Sequence, residues 1–184
     1  NSLTYSGTLS GSGSVTKSAA GTLKINGTVS ATGGITVSAG KVGGTGTISK
    51  LIASGGTVAP GNSIGTLNIS GNYSQNSSST LEIEIDNSGN TDLIAINGSA
   101  TIDGNLVIVP AAGNYTNDST YTFLTASSIS GTFASVSVSS GSNNCSATVN
   151  YSSSTSLTLT LSNCDNSSPS MSITASEVSD GETS

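Results

Sequence analysis

The side chains that could take part in chemistry are few in this chain, and the acidic ones form the clearest pattern. From residue 80 to 86, apolar residues alternate with Glu82, Glu84 and Asp86, so a β-strand here would place the three carboxylates on one face. Such a row could bind a divalent cation, or two of its members could hydrolyse a glycosidic bond. Carboxylates two positions apart on a strand, however, stand about 7 Å apart on one ridge and do not face each other across a cleft. We therefore interpret the row as a solvated face and predict neither a catalytic pair nor a metal site.

The residue types that are missing exclude several classes of function. Histidine and arginine are absent, which removes the usual base near neutral pH, the commonest nitrogen ligand for metals and the bidentate phosphate clamp. Four lysines stand against ten carboxylates, so nucleic-acid phosphates would be repelled by the net charge of −6. No apolar run approaches the roughly 18 residues that span a bilayer. We predict no enzymatic activity, no cofactor, no nucleic-acid partner and no membrane insertion; a polysaccharide lyase would need a lysine such as Lys41 or Lys50 as its base.

The charged residues are separated along the chain. All four lysines precede residue 82, and all ten acidic residues lie from Glu82 onward. Two interpretations remain open at this point. The sparse charges could simply keep two dissimilar segments soluble, or a positive and a negative end could favour head-to-tail contact between copies.

Two cysteines, Cys145 and Cys164, flank segments that alternate like the two arms of a β-hairpin. A two-residue turn would set the cysteines directly opposite each other. A three-residue turn would instead match Val149 with Leu159 and shift the cysteines one position out of line, which a bulge could repair. Both registers remain open, and both bring the thiols close together. We predict a disulfide, which would stabilise the fold by about 3 kcal/mol and implies an oxidising compartment.

A four-residue phrase recurs through the first third of the chain, and its copies begin 20, 19 and 19 residues apart, at Gly7, Gly27, Gly46 and Gly65. Each copy contains glycine, threonine, an aliphatic residue, and then serine or asparagine. A short repeat of this kind is typical of a solenoid, in which each repeat buries its apolar face against its neighbours. About twenty residues are too few for a helix pair and suit one coil of a β-helix. Stacked coils would build a core column from the aliphatic members of the phrase: Leu9, Val29, Ile48 and Leu67.

Other positions keep the same spacing, since Leu23 aligns with Val42 and Val15 with Ile35. The threonines of the phrase would also stack in a row along one face of the solenoid. We interpret this row as hydrogen bonding between neighbouring coils rather than as a surface that binds ice or glycan. The row consists of Thr8, Thr28, Thr47 and Thr66.

The sequence changes in character near residue 80. Later strands are longer, and Asn-Gly and Asp-Gly turns separate them at Asn97 and Asp103. We interpret Asp92, like Asp103, as a turn residue. Most aromatic residues also lie beyond this point, so the larger core should be here and could cap the solenoid. The predicted parts are β-helix coils in 1–80, an antiparallel C-terminal cap in 81–162, and a polar linker or the start of a following domain in 163–184.

Several longer phrases resemble a known family. Residues 4–48, with Thr4-Tyr5-Ser6-Gly7, Gly21-Thr22-Leu23 and a glycine-flanked strand in 33–40, resemble the passenger-associated repeat of bacterial autotransporters. The phrase in 55–67, which reads GGTVAPGNSIGTL, continues this resemblance. Residues 79–162 are similar to the C-terminal part of such passenger domains, often called the autochaperone region. Residues 171–181 resemble the opening of immunoglobulin-like repeats in large bacterial surface proteins.

The resemblance implies a right-handed parallel β-helix closed by a β-sandwich-like cap, on a protein exported to the surface of a Gram-negative bacterium. In that family the cap is thought to fold first outside the cell and to template the coils behind it. We therefore expect a non-enzymatic structural module, extracellular or at the cell surface, that serves display, adhesion and outside-in folding, with host or surface glycans as partners. The alternative is a self-assembling filament subunit joined head to tail with further copies, because its first coil would expose unpaired backbone groups.

Overall fold

The computed structural model describes residues 1–139 and 144–165, which form 21 β-strands and no helix. The predicted linker beyond residue 165, with the immunoglobulin-like phrase in 171–181, lies outside the described residues. Within the described ranges, no helix is present that could cross a membrane. The strands are β1 Ser2–Tyr5, β2 Thr8–Leu9, β3 Val15–Lys17, β4 Thr22–Ile25, β5 Thr28–Val29, β6 Ile35–Val37, β7 Lys41–Gly44, β8 Thr47–Ile48, β9 Leu51–Ala53, β10 Thr57–Pro60, β11 Thr66–Ile69, β12 Tyr73–Gln75, β13 Thr80–Ile85, β14 Leu93–Ile96, β15 Ser99–Ile102, β16 Asn105–Pro110, β17 Thr120–Thr125, β18 Ser128–Gly131, β19 Ser135–Val138, β20 Ser146–Asn150 and β21 Ser156–Ser162.

The strands form three sheets, and within the range β1 to β19 every two strands that are three places apart pair with each other. Sheet A has the order β1-β4-β7-β10-β13-β16-β19, sheet B the order β2-β5-β8-β11-β14-β17-β21-β20, and sheet C the order β18-β15-β12-β9-β6-β3. All pairings among β1 to β19 are parallel. The chain thus passes through sheets A, B and C in turn and returns to sheet A one strand further on. We call one such passage a coil. The all-β prediction is confirmed, and the pairing is consistent with a β-helix.

Alternating strand residues point inward and build one continuous core. In β13, Leu81, Ile83 and Ile85 are fully buried, whereas the glutamates between them face outward. The largest fully buried side chains are those of Tyr73, Tyr115 and Phe123, which all lie beyond residue 70. This alternation follows from the pleat of a β-strand, in which successive side chains point to opposite faces of the sheet.

The repeat sets the register of the first three coils but not of the fourth. The structure pairs Leu9 with Val29 and Val29 with Ile48, in the register that the repeat predicts. Ile48, however, pairs with Ile69 rather than with Leu67, so the predicted fourth member of the column is wrong by two residues. When the two strands are aligned by their pairing, β11 extends two residues further toward its N-terminus than β8 does. It therefore has two inward residues, whereas β8 has one. Leu67 is still fully buried, and it pairs with Ile94 of the next coil.

The glycine of the repeated phrase is explained by close backbone packing between coils. A Cβ atom on Gly27 would lie 2.0 Å from the carbonyl oxygen of Gly7, and one on Gly46 would lie 2.1 Å from that of Gly27. Real Cβ atoms do not approach so closely. These corners therefore stack backbone on backbone, and only glycine leaves enough room.

Parallel pairing continues well beyond residue 80. Strand β13 pairs in parallel with β16, and β16 pairs in parallel with β19, which ends at Val138. The prediction that antiparallel pairing begins at residue 81 is therefore wrong, because apolar–polar alternation is the same in parallel and antiparallel strands. Within the described residues, antiparallel ladders join only β17, β21 and β20. The division into parts at residues 80 and 162 remains a prediction.

The hairpin of β20 and β21 closes sheet B, and the predicted disulfide is present in it. Cys145 is bonded to Cys164, with their Cα atoms 4.0 Å apart. Val149 pairs with Leu159, which is the register of the three-residue-turn alternative, so Cys164 lies one position out of line. Asn163 has a φ of 53°, a left-handed conformation that asparagine tolerates, and this local irregularity turns the chain so that the two sulfurs meet.

Candidate functional site

The loops of successive coils lengthen at one corner only, the corner that leads from sheet A to sheet B. They grow from two residues to nine, as residues 26–27, 45–46, 61–65, 86–92 and 111–119. The loops at the other two corners of the same coils contain no more than five residues. Because binding residues are found disproportionately on loops held by a rigid scaffold, this corner is the candidate position for a functional site.

Two adjoining hollows lie where these loops meet the outer face of sheet A. We call the first the lysine hollow; its volume is about 210 Å³, and its side chains include Lys24, Lys41, Ala59, Glu82, Glu84 and Asp92. We call the second the aliphatic hollow; its volume is about 420 Å³, and it is lined by Ser63, Ile64, Glu84, Ile85, Asp86, Val109, Pro110 and Ala111. Ser63 and Glu84 line both, so the two hollows form one groove that crosses the sheet beside the loop in 61–65.

The lysine hollow carries charges of both signs, from two lysines and three acidic side chains. The ammonium nitrogen of Lys41 lies 2.5 Å from the Glu82 carboxylate, although strand β10 separates their two strands. The lysine can reach because Ala59 and the backbone of Gly43 leave the intervening surface low. The ammonium group of Lys24 donates to the carbonyl oxygen of Asn62, at 3.2 Å, and so holds the adjacent loop.

Asp92 is a buried carboxylate that ties the corner together, and not the turn residue that the sequence predicted. Its side chain accepts hydrogen bonds from the backbone N–H groups of Gly65 and Glu84, both at 2.8 Å. The residue is only 1% exposed, and this burial raises the pKa of its carboxyl group to about 7. The charges of Glu84 and Glu82 raise the pKa further, against the two backbone donors, which lower it. Asp92 thus joins β13, β14 and the loop in 61–65.

The three acids of the predicted row have three different surroundings. Glu82 and Glu84 both lie on the outer face of sheet A, as predicted, but Glu82 is paired with Lys41. Among the described residues, no hydrogen bond or ion pair reaches the Glu84 carboxylate. Asp86 is the first residue of the loop in 86–92. Its carboxylate accepts hydrogen bonds from the backbone N–H groups of Ser88 and Asn90 and from the side-chain amide of Asn90, the amide nitrogen at 2.7 Å. These hydrogen bonds lower the pKa of the Asp86 carboxyl group.

Two buried tyrosines hold the aliphatic hollow from below. The hydroxyl oxygen of Tyr115 lies 3.0 Å from the Ile85 carbonyl oxygen and 2.9 Å from that of Ala111. The hydroxyl group of Tyr121 donates to the carbonyl oxygen of Asp86, at 3.0 Å. Burial raises the pKa of the Tyr115 hydroxyl to about 12, and the charge of Asp86 contributes. These contacts fix the floor of the hollow and the two longest corner loops.

The other candidates from the sequence are not brought together. Lys50 is exposed at the corner between sheets B and C, whereas Lys41 lies on strand β7 of sheet A, so the two do not share a groove. Asp103 is a turn residue as predicted, and its carboxylate accepts from the adjacent Gly104 N–H at 2.7 Å. No group of three or more aspartate, glutamate and cysteine side chains in the described ranges is placed to hold a metal ion.

The predicted threonine row is shorter than expected. Thr8, Thr28 and Thr47 are neighbours in sheet B, but the next position is taken by Asn68, and Thr66 pairs with Leu93. In the part of the chain that the structure describes, no hydrogen bond joins the hydroxyl groups of these threonines, so the predicted contact between coils is wrong.

No family model matches the chain, and no curated protein matches it.

The two ends of the stack differ. At the first coil, the outer edges of β1, β2 and β3 have no strand beside them within the described residues. An apolar hollow of about 190 Å³ opens there, and Leu3 is 67% exposed. At the other end, the β20–β21 hairpin folds over the last coil, and the carbonyl oxygen of Ser154 accepts from the Ile129 N–H at 2.8 Å. One end is open and apolar, and the other is covered.

Proposed function

We propose that this chain is a non-enzymatic structural module of a secreted bacterial surface protein. In this proposal it forms a right-handed parallel β-helix closed by an antiparallel cap, and it serves display, adhesion and outside-in folding. The observation that carries the proposal is the parallel pairing of every third strand across three sheets, from β1 to β19. A stack of this kind makes a rod whose length is set by the number of coils.

Two further observations support this proposal. The bonded pair of Cys145 and Cys164 fits an oxidising compartment, such as the exterior or the periplasm. The phrases in 4–48 and 55–67 resemble passenger-associated repeats of autotransporters, and the first of these ranges holds the coils with the most regular register. Both fit an exported protein.

The proposal is tested through shape and through the order of folding. Small-angle scattering should give an elongated particle, and far-UV circular dichroism should show β-structure without substantial helix. During refolding of the full chain, pulse-labelled hydrogen exchange should protect the amides of β17 and β21 before those of β4 and β7. A compact spherical particle would contradict the rod, and earlier protection of β4 and β7 would contradict folding that starts at the cap.

A second candidate function is the filament subunit, which the open apolar end favours. Leu3 and Leu9 are exposed there, and three unpaired strand edges could receive strands of another copy. Electron microscopy at high protein concentration should then show fibres, and Leu3→Lys should abolish them. Particles that stay monodisperse under the same conditions would reject this candidate and leave the structural module unaffected.

A further inference from the structure

We propose that the aliphatic hollow binds a lysine or arginine side chain of an extended peptide from another protein. The alkyl part of that side chain would lie on the aliphatic wall, and its cationic group would meet the carboxylate of Glu84. This inference goes beyond the structural role proposed above and does not depend on it.

The shape of the hollow suits such a side chain. Its volume of about 420 Å³ lies within the range of small ligand sites, roughly 300–1,000 Å³. Ile64 and Val109 supply branched aliphatic surface, and Pro110 supplies a rigid ring. The tyrosine hydroxyls beneath hold the neighbouring backbone, so the hollow is formed before a ligand arrives. Lysine and arginine have apolar stems that pack well on surfaces of this kind.

The charge of the hollow is negative and uncompensated. Glu84 and Asp86 line it, and no lysine does. Lys41 is already held by Glu82 in the adjoining hollow, whereas the Glu84 carboxylate has no partner among the described residues. The negative potential of these carboxylates also acts on neighbouring groups: Glu84 raises the pKa of Asp92, and Asp86 raises the pKa of Tyr115. A cation at Glu84 would therefore be stabilised electrostatically.

The composition of the hollow selects a peptide over other occupants. No aromatic ring lines it, so a sugar would lack the stacking surface on which sugars are usually held. The chain's own segment 166–184 contains no lysine or arginine, so it cannot supply the cation. Beyond Glu84 the groove continues to Lys24, whose ammonium group contacts a carbonyl oxygen and no carboxylate among the described residues, so an acidic residue further along the same peptide could pair with it.

The test is fluorescence anisotropy of the full chain with a labelled glycine–serine peptide that carries a single lysine. Glu84→Gln should weaken binding about fivefold to tenfold, because a partly desolvated ion pair is lost while the shape is kept. Asp103→Asn is the matched control: it removes the same charge from a distant turn and should change the affinity by less than about twofold. Circular dichroism would verify that both variants are folded.

Two changes to the probe make the test independent of any variant. Replacing the lysine by norleucine keeps the apolar stem and removes the charge, so it should weaken binding as much as Glu84→Gln does. Equal binding of both peptides would overturn the proposal, as would equal weakening by the Glu84 and Asp103 variants, which would indicate attraction by net charge alone. Absence of peptide binding at about 1 mM, a concentration that would reveal even weak association, would also overturn the proposal.

Discussion

The first and the later coils of this molecule are built on the same plan but differ in what they add to it. In sheet A, the pairing advances by 20 residues from Ser2 to Thr22 and by 19 to Lys41. It advances by 25 residues from Thr80 to Asn105 and by 30 to Ser135. The extra residues are concentrated at the corner between sheets A and B, beside the groove. The regular coils thus supply the frame, and the longer ones supply loops, charge and a fixed surface.

The two regions also differ in how completely they bury their side chains. Leu9 of the first coil is 37% exposed, whereas Ile48 of the third coil, in the same column, is fully buried. In the last coils, Phe123 and Phe133 are buried with their ring centroids 6.2 Å apart, beneath a hairpin closed by a disulfide. A repeating sequence is therefore enough to stack coils, but closing an end needs residues that depart from the repeat.

The strongest test of this contrast uses one column of the core. Ile48→Ala should lower the free energy of unfolding by about 3 kcal/mol, because it leaves a cavity among fully buried neighbours. Leu9→Ala, at the open end of the same column, should cost less than about 1 kcal/mol, since its side chain is partly solvated already. Guanidinium denaturation of both variants measures the difference. Equal losses would mean that the open end is covered in solution.

The next test removes the closure at the other end. Replacing Cys145 and Cys164 together by serine should lower the free energy of unfolding by about 2–4 kcal/mol, because the unfolded chain loses a constraint. Hydrogen exchange should quicken in β20 and β21 far more than in β4 and β7. Reduction of the wild-type disulfide is the control and should give the same pattern. A uniform increase over all coils would show instead that the hairpin supports the entire stack.

A smaller effect is expected from the pH dependence of Asp92. Burial raises its pKa to about 7, above its value in the unfolded chain, so the folded protein binds this proton more tightly. The resulting stability is fully present only below about pH 4, and it falls as the pH rises to about 7. Between pH 5.5 and 8 the loss should be about 1–2 kcal/mol after allowing for partial solvation. Denaturation at pH 5.5 and 8 should show this loss for the wild type and much less of it for Asp92→Asn.

Two features make that pH window specific. The chain contains no histidine, so no such side chain titrates there. Asp86, whose pKa is lowered, contributes in the opposite sense: its stabilisation is lost only as the pH falls through its acidic range. An unchanged pH slope in the Asp92→Asn variant would show that another group is responsible.

The smallest effect should come from the ion pair on the outer face of sheet A. Glu82→Gln removes the partner of Lys41, and both side chains are partly exposed, so the free energy of unfolding should fall by less than about 1 kcal/mol. The difference should shrink further at about 1 M salt, where such charges are screened. A loss above about 2 kcal/mol would mean that the pair is part of the structural frame rather than of its surface.

Much of the regular region could be predicted from the sequence. The repeat placed Leu23 beside Val42 and Val15 beside Ile35, and both pairs are present. The disulfide was also predictable, because the alternating arms between Cys145 and Cys164 allowed only registers that bring the sulfurs together. In each case a local pattern determines the contact directly.

The rest depended on features that a local pattern does not contain. The phrase at Gly65 matches the earlier copies. Strand β11, however, is two residues longer than β8 at its N-terminal end, so Ile69 rather than Leu67 pairs with Ile48 and continues the column. Beyond residue 80 the coils lengthen unequally, which removes the repeat from the sequence although the parallel pairing continues. Asp92 looked like a turn residue because its two backbone partners lie 27 and 8 residues away. No short window of sequence could connect them.

The corner between sheets A and B has a practical consequence for protein engineering. It already accommodates segments of two, five, seven and nine residues in different coils, while the strands on either side keep their parallel neighbours. Foreign epitopes could therefore be inserted at the exposed tips of the longer segments, such as Ser88–Gly89 in 86–92, away from the tightly stacked corner glycines. Grafts in neighbouring coils would project in a ladder, one coil apart at about 4.8 Å.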